Sequence, residues 1–425
     1  MLDQRKKHAL EILTIFIYAS LLAVISYFHE PWFDEAQAWL IARDSSLFDM
    51  IWNVLRYEGH TPLWYLLLFV PAHLGAPFEL GLKLVNFIVI TSAVWIFIKY
   101  SPFPLFVRLL TPFTYFIFYQ YGVISRCYSL LILILWLIAA FFPRRNKNPF
   151  VFSLLIGLLG GVTAYGMLLA FGIAIAWFIE ILFSHQDGQT LSPRSLSLTA
   201  RDNRFHSLIL LGTINLCYLA ILWPMPDRHT APLDYYFTAA ERIYRLLMAP
   251  VGALFLSESS TFLTTSFDTP FALLTGVVGL ALISIYILWS IKKGIFYYVF
   301  LPYICLTSFM TFGYFSIHHT GIYALLIIFS VWISFTSDKI FPTPEWANSL
   351  SCLTSSTVKK RRYFKTLITV GLMSVLSLQL YWSFTASMND IRLSYAPYGE
   401  LAAFVKAHDI DQYISVLLSP YQSFL

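Results

Sequence analysis

The chain has 425 residues, of which 58% are hydrophobic and only 12% charged. Soluble domains carry roughly 25% charged residues, so this composition excludes a water-soluble globular protein and indicates an all-α polytopic membrane protein. The net charge of +5 comes with no basic run suited to nucleic acid; the basic residues bunch between apolar segments, as topology signals do.

The start, "MLDQRKKHALEILTIFIYASLLAVISYF", sets a positive flank before an apolar run, which reads as a retained first transmembrane helix with a cytoplasmic N-terminus. Further apolar stretches fall at 62–76, 84–99, 103–120, 122–142, 150–166, 168–184, 207–223, 270–290, 295–311, 320–336 and 366–385, giving 12 segments with the first. Basic loops at 5–7, 143–148, 185–206 (Arg194, Arg201 and Arg204), 292–293 and 358–365 mark the inside and put 386–425 outside. An inside start and an outside end require an odd number of crossings. The conflict lies between 62 and 120, where Pro71, Pro77, Pro102, Pro104 and Pro112 break the pattern, so one stretch there is expected not to span, or a crossing is missed. Residues 1–385 then form one transmembrane module with outer pieces at 29–61 and 224–268. Residues 386–425 form a short outer tail, whose "YAPYGELAAFVKAHDID" reads as the start of a small domain. The inner loops 185–206 and 337–365 read as linkers. Cys127, Cys217, Cys305 and Cys352 are scattered and carry no metal spacing.

The stretch "FHEPWFDEAQAW" (28–39) places Glu30, Asp34 and Glu35 at the mouth of the first helix. Asp34 followed by Gln37 is a plausible helix start, with Asp34 as cap. Ser46 with Asp49 opens a second short helix, whose Leu47, Met50, Ile51, Val54 and Leu55 share one face. The loop therefore reads as two short helices roofing a membrane cavity. Adjacent acids on a helix diverge by about 100°, so one of Asp34 and Glu35 faces the cavity and the other the rim. An acid at such a cavity suits a general base or a cation ligand; the plain alternative is a capping acid favoured by the helix dipole.

"RYEGHTPLWYLLL" (56–68) adds Arg56, Glu58 and His60 beside the next apolar run. Arg126, at the outer start of "SRCYSLLILIL", needs a partner: a lipid-borne phosphate, or a carboxylate. Tyr128 follows it as a phosphate-side or plain interfacial aromatic. His318 and His319 mark another outer edge, where phosphate contact fits better than chelation because adjacent histidines diverge. In 224–268, Asp227, Arg228, His229, Asp234, Glu241, Arg242 and Arg245 read mostly as a solvated surface.

"WFDEAQAWLIARDSSL", "LRYEGHTPLWYLLL" and "SRCYSLLILIL" together resemble the GT-C membrane glycosyltransferases over about 29–140, in particular the protein mannosyltransferase and lipid A aminoarabinose transferase group and bacterial uncharacterised members. "HHTG" (318–321) is similar to a later His-x-Gly element there. The resemblance implies a GT-C-like bundle of about 11–13 transmembrane helices. It implies transfer of a sugar from a polyprenyl-phosphate carrier to a lipid, glycan or protein acceptor at the outer face of a bacterial inner membrane. Asp34 takes the position of the catalytic carboxylate, with Glu35 beside it, and Arg126 matches a phosphate contact. The family's Arg-Tyr after the acidic pair is absent, since "DEAQAW" stands there and Arg43 comes only later. No metal ligands carry over; a divalent cation stays open, because metal use varies across the superfamily. Two other classes fit the same features: a transporter or flippase for lipid-linked sugar, and a non-catalytic membrane assembly protein. Charges gathered at one membrane face, rather than at the midplane, favour the enzyme.

Overall fold

The computed structural model describes residues 4–184, 201–223, 225, 238–255, 267, 269–312, 316–336, 339–349, 358–393, 403–404 and 407–408. Among these, every regular element is helical. Seven helices are long and apolar enough to cross a membrane, and four shorter apolar helices accompany them, which makes this a multi-pass helical membrane protein.

The labelled helices are α1 (Gln4–Phe28), α2 (Phe33–Asp44), α3 (Leu63–His73), α4 (Phe78–Tyr100), α5 (Tyr128–Phe141), α6 (Pro149–Gly160), α7 (Ala164–Ser184), α8 (Asn203–Leu222), α9 (Ala239–Phe255), α10 (Ala272–Lys293), α11 (Phe296–Phe312), α12 (Thr320–Thr336) and α13 (Val358–Arg392). Between α2 and α3 the chain makes short turns of helix over Leu47–Asp49, Met50–Val54 and Leu55–Glu58, the middle one wider than an α-helix. Ser46 accepts from the Asp49 amide, as its cap position requires. Phe48 and Trp52 of this run stay exposed while Met50 and Leu55 are buried, which is the amphipathic division expected at a membrane surface. Gly59 ends the run in the left-handed conformation (φ 71°) and turns the chain towards His60.

Between 62 and 120, where one stretch was expected not to span, α3 has 11 residues, a length of about 16 Å against a hydrocarbon core of about 30 Å. Both of its ends stay at the end of the bundle that carries α2. The Leu63 amide donates to the Gly161 carbonyl, and the chain beyond α3 brings Phe78 against Trp39 of α2. The Lys83 ammonium then donates to the His29 carbonyl, so α4 starts at the α2 end. Arg108 holds the Ile98 carbonyl and Glu11 of α1, so α4 finishes at the opposite end. Residues 105–123 return as a broken run, Leu105–Leu110, Thr111–Phe113 and a wide-turned Tyr115–Val123. Pro104 and Pro112 account for the breaks. Among the described residues α1, α4, α7, α8, α10, α12 and α13 are the helices long and apolar enough to cross, and α3, α5, α6 and α11 are the shorter apolar helices.

Two further boundaries move. The stretch 224–268, read as an outer loop, contains α9, whose Met248, Ala249, Val251 and Ala253 are buried. The last helix does not stop at 385: α13 runs to Arg392, and Asp390 near its end is buried. Asp227, Arg228, His229, Asp234 and most of the tail lie outside the described residues. Packing is close where α7 meets α11; a Cβ on Gly172 would come to 2.5 Å from the Pro302 backbone, so no larger residue fits there.

Candidate functional site

The site is built at the α2 end from the first turn of α2, the turn 124–127 before α5, and the residues 316–319 leading into α12. α2 is not capped by Asp34. The residue before the helix is Trp32, and Glu35 folds back so that its Oε2 accepts from the Trp32 amide at 2.8 Å. Its other oxygen, Oε1, accepts from the Ser125 amide at 2.6 Å. Glu35 is buried, 1% exposed, and is a structural clamp joining α2 to the turn that carries Arg126. Asp34, one residue earlier, points the other way. Its carboxylate pairs with Arg126 Nη2 at 2.9 Å, with side-chain exposures of 38% for Asp34 and 19% for Arg126. The divergence of the two acids is thus resolved, with Asp34 at the open mouth and Glu35 inside.

Arg126 lies over the Tyr128 ring, 5.5 Å from its centroid. Tyr128 stacks on Tyr121 at 4.8 Å, and its edge contacts reach His318 and His319 at 6.0 and 6.2 Å. Tyr121 hydroxyl donates to the His318 carbonyl at 2.5 Å, tying the broken run to the histidine turn. His319 packs against Tyr165, 4.4 Å between centroids, and its Nδ1 accepts from the Ser316 amide at 2.9 Å. The neutral ring therefore carries its proton on Nε2. His318 Nε2 is buried with no hydrogen-bond partner among the described residues.

The other sequence candidates divide. His60 packs near Tyr65, 6.1 Å between centroids, and it lies, with Arg126, within electrostatic reach of His319. Glu58 accepts from Gln37 of α2 at 2.8 Å, and it shares with Asp34 and Arg126 the surroundings of Tyr65. Arg56 does not join; its Nε donates to the Trp223 carbonyl at 2.9 Å, at the end of α8. Asp34, Arg126, Tyr128, His318, His319, His60 and Glu58 thus gather from four separate stretches of sequence. Arg245 of α9 donates to the Met310 carbonyl instead.

Sequence reasoning passed over a buried chain of groups behind Glu35. His29 Nε2 faces Glu35 Oε2 at 3.1 Å, and its Nδ1 faces Asp390 Oδ2 at 2.9 Å. Tyr119 hydroxyl donates to Asp390 Oδ1 at 2.9 Å. Burial opposes a charge on His29, but the hydrogen bonds to Asp390 and Glu35 outweigh it and raise its pKa from 6.5 to about 9. The only sequence signal was His29 itself, next to three acids.

Among the described residues no group of three or more His, Cys, Asp or Glu side chains is placed to hold a metal ion. Asp34 pairs with Arg126, Glu35 with backbone amides and His29, and Glu58 with Gln37. No family model, curated protein or solved structure matches the chain.

Proposed function

We propose that the protein is a membrane-embedded glycosyltransferase of GT-C type, taking a sugar from a polyprenyl-phosphate carrier to a hydroxyl- or amine-bearing acceptor. The Asp34–Arg126 pair carries this reading: an acid and a fixed cation, 2.9 Å apart and partly exposed at one end of the bundle. Arg126 would bind the carrier phosphate, which has the geometry its fork prefers. Binding there draws the guanidinium from Asp34 and frees the carboxylate to act as base. The acceptor oxygen or nitrogen then attacks the anomeric carbon, its proton passes to Asp34, and the carbon–oxygen bond to phosphate breaks. The carrier leaves as its phosphate monoester, with the electron pair on an oxygen held by Arg126 and by the buried His318 Nε2. Tyr128, Tyr165 and Tyr65 are buried beside these groups and support them as an aromatic packing.

The arrangement supports transfer over transport, because its ionisable groups sit at the ends of the bundle rather than along a path through it. The test is turnover of radiolabelled polyprenyl-phosphate sugars with a membrane lipid extract, in purified protein returned to lipid. Wild type should lose label from the carrier. Asp34→Asn should do so ~10²–10⁴-fold more slowly, the usual worth of a general base. An Asp34→Asn variant with full activity would refute the assignment.

A further inference from the structure

The buried groups behind the site form one line: Ser125 amide, Glu35, His29, Asp390, Tyr119. They come from five places in the chain, and His29 and Asp390 are 361 residues apart in sequence. Each ring nitrogen of His29 faces a carboxylate oxygen, whereas a neutral imidazole has one N–H only. The line is complete only when it holds the extra proton that makes both ring nitrogens donors. We infer that His29 is a positioning residue for the Asp34–Arg126 pair. It grips α2 and the 124–127 turn through Glu35, and the end of α13 through Asp390, so that the end of α13 sets the geometry of the site.

Asp34 and Glu35 are neighbours on α2, and Ser125 and Arg126 are neighbours on the turn. The Glu35–Ser125 bond therefore fixes the spacing of the Asp34–Arg126 pair one residue away on both sides. Glu35 keeps its orientation because His29 and the Trp32 amide share its Oε2. His29 keeps its own because Asp390 holds its other nitrogen. A shift of Asp390 loosens Glu35, and a charge lost from His29 does the same. Among the described residues, the charged and titratable groups around His29 include Glu35 from α2 and Asp390 from α13, with Lys83 of α4 on its carbonyl, Glu79 paired to Lys83, and Tyr119 on Asp390. The carboxylates hold His29 protonated well above neutral pH, to about 9.

This inference rests on the transferase reading only for what the site does, and its test does not need turnover. Full-length protein in lipid nanodiscs is compared as wild type, Asp390→Asn and Asp390→Glu by amide hydrogen exchange, with ¹⁵N spectra of labelled histidine. The His29 signal is assigned by its loss in His29→Gln. Asp390→Asn should raise exchange of the Ser125 amide at least ~10-fold, a loss of about 1.4 kcal/mol of local protection, although Asp390 touches neither Ser125 nor Arg126. Asp390→Glu should restore part of the protection. The wild-type His29 should be an imidazolium at pH 7.5. Unchanged Ser125 exchange in Asp390→Asn, or a neutral His29 at pH 7.5, overturns the inference. Should Asp390→Asn fail to fold, wild-type Ser125 exchange is followed with pH, corrected for base catalysis; it should rise as pH passes about 9, and a flat profile overturns the inference. Farnesyl phosphate then probes the site. Weaker binding in Asp390→Asn joins the two readings, while no binding to either form alongside a responsive Ser125 removes the transferase and leaves the positioning role standing.

Discussion

The protein buries charge at both ends of its bundle, and the two ends are built differently. At the end away from α2, Glu180 of α7 accepts from Arg145 through Nε and Nη2 at 2.9 and 2.8 Å, from Asn146 at 2.7 Å and from Tyr298 at 2.6 Å. Trp177 donates to Asn146, and the Arg145 guanidinium lies 4.1 Å over the Phe142 ring. Both charges are under 10% exposed. That cluster is closed: its charges are matched, its oxygens are filled and nothing is offered to a ligand. At the α2 end the inner line of Glu35, His29 and Asp390 is equally closed, but the Asp34–Arg126 pair in front of it is open. The contrast separates charge that joins helices from charge that is available for chemistry. Burial alone would have ranked Glu180 above Asp34.

The largest expected effect that sharpens this contrast is on folding. Glu180→Ala strands the Arg145 guanidinium in a buried site, which costs about 3–5 kcal/mol. A sharply lowered melting temperature in detergent should report it; an unaltered one would mean the cluster is solvated and the contrast false. The next effect is a pH response confined to the α2 end. His29 has a folded pKa raised to about 9 from 6.5, so its contribution is fully present below pH 6.5 and is lost as pH climbs through 9. A shift of this size corresponds to about 3 kcal/mol. Wild type should therefore lose stability from pH 7 to pH 10, and His29→Gln should lose much less; equal losses would place the titration elsewhere. Smaller still, Tyr298→Phe removes one of several donors to Glu180 and should cost about 1 kcal/mol, read in the same melts.

Much of the mouth of the site was legible because its residues interrupt apolar runs. A charge or His pair at the edge of a membrane stretch stands out against hydrocarbon, and Asp34, Arg126, His318 and His319 all did. What lay behind them was not legible. Nothing local distinguishes Asp34 from Glu35, since two adjacent acids at a helix start differ only in which way the helix is turned against its neighbours. Asp390 needed a partner 361 residues earlier in the chain, a pairing no spacing encodes. The fold followed the same division. Long apolar helices such as α4 and α7 were evident from hydropathy. α3 could not be singled out within 62–120, because an apolar run records composition and not whether 11 residues reach across. α9 was missed because Glu241, Arg242 and Arg245 make its first turns polar, while its last turns are buried among α10, α12 and α11.

The smallest expected effect is the most informative about the open pair. Asp34→Asn keeps the shape of the side chain and removes its charge. An ion pair exposed to this degree contributes about 0–1 kcal/mol, because water already screens it and two side chains must be held still to form it. The melting temperature of Asp34→Asn should therefore stay within a degree or two of wild type, while Glu35→Gln, one residue away, should fall clearly because it weakens the bonds to Ser125 and His29. A large loss from Asp34→Asn would make the pair another structural staple, like Arg145–Glu180, and would remove the main support for placing chemistry there. A negligible loss leaves a carboxylate and a guanidinium set face to face at the mouth of the bundle, positioned by a buried network and contributing little to the fold. Two neighbouring acids would then divide the work, with Glu35 fixing the geometry and Asp34 free to exchange its partner for a substrate.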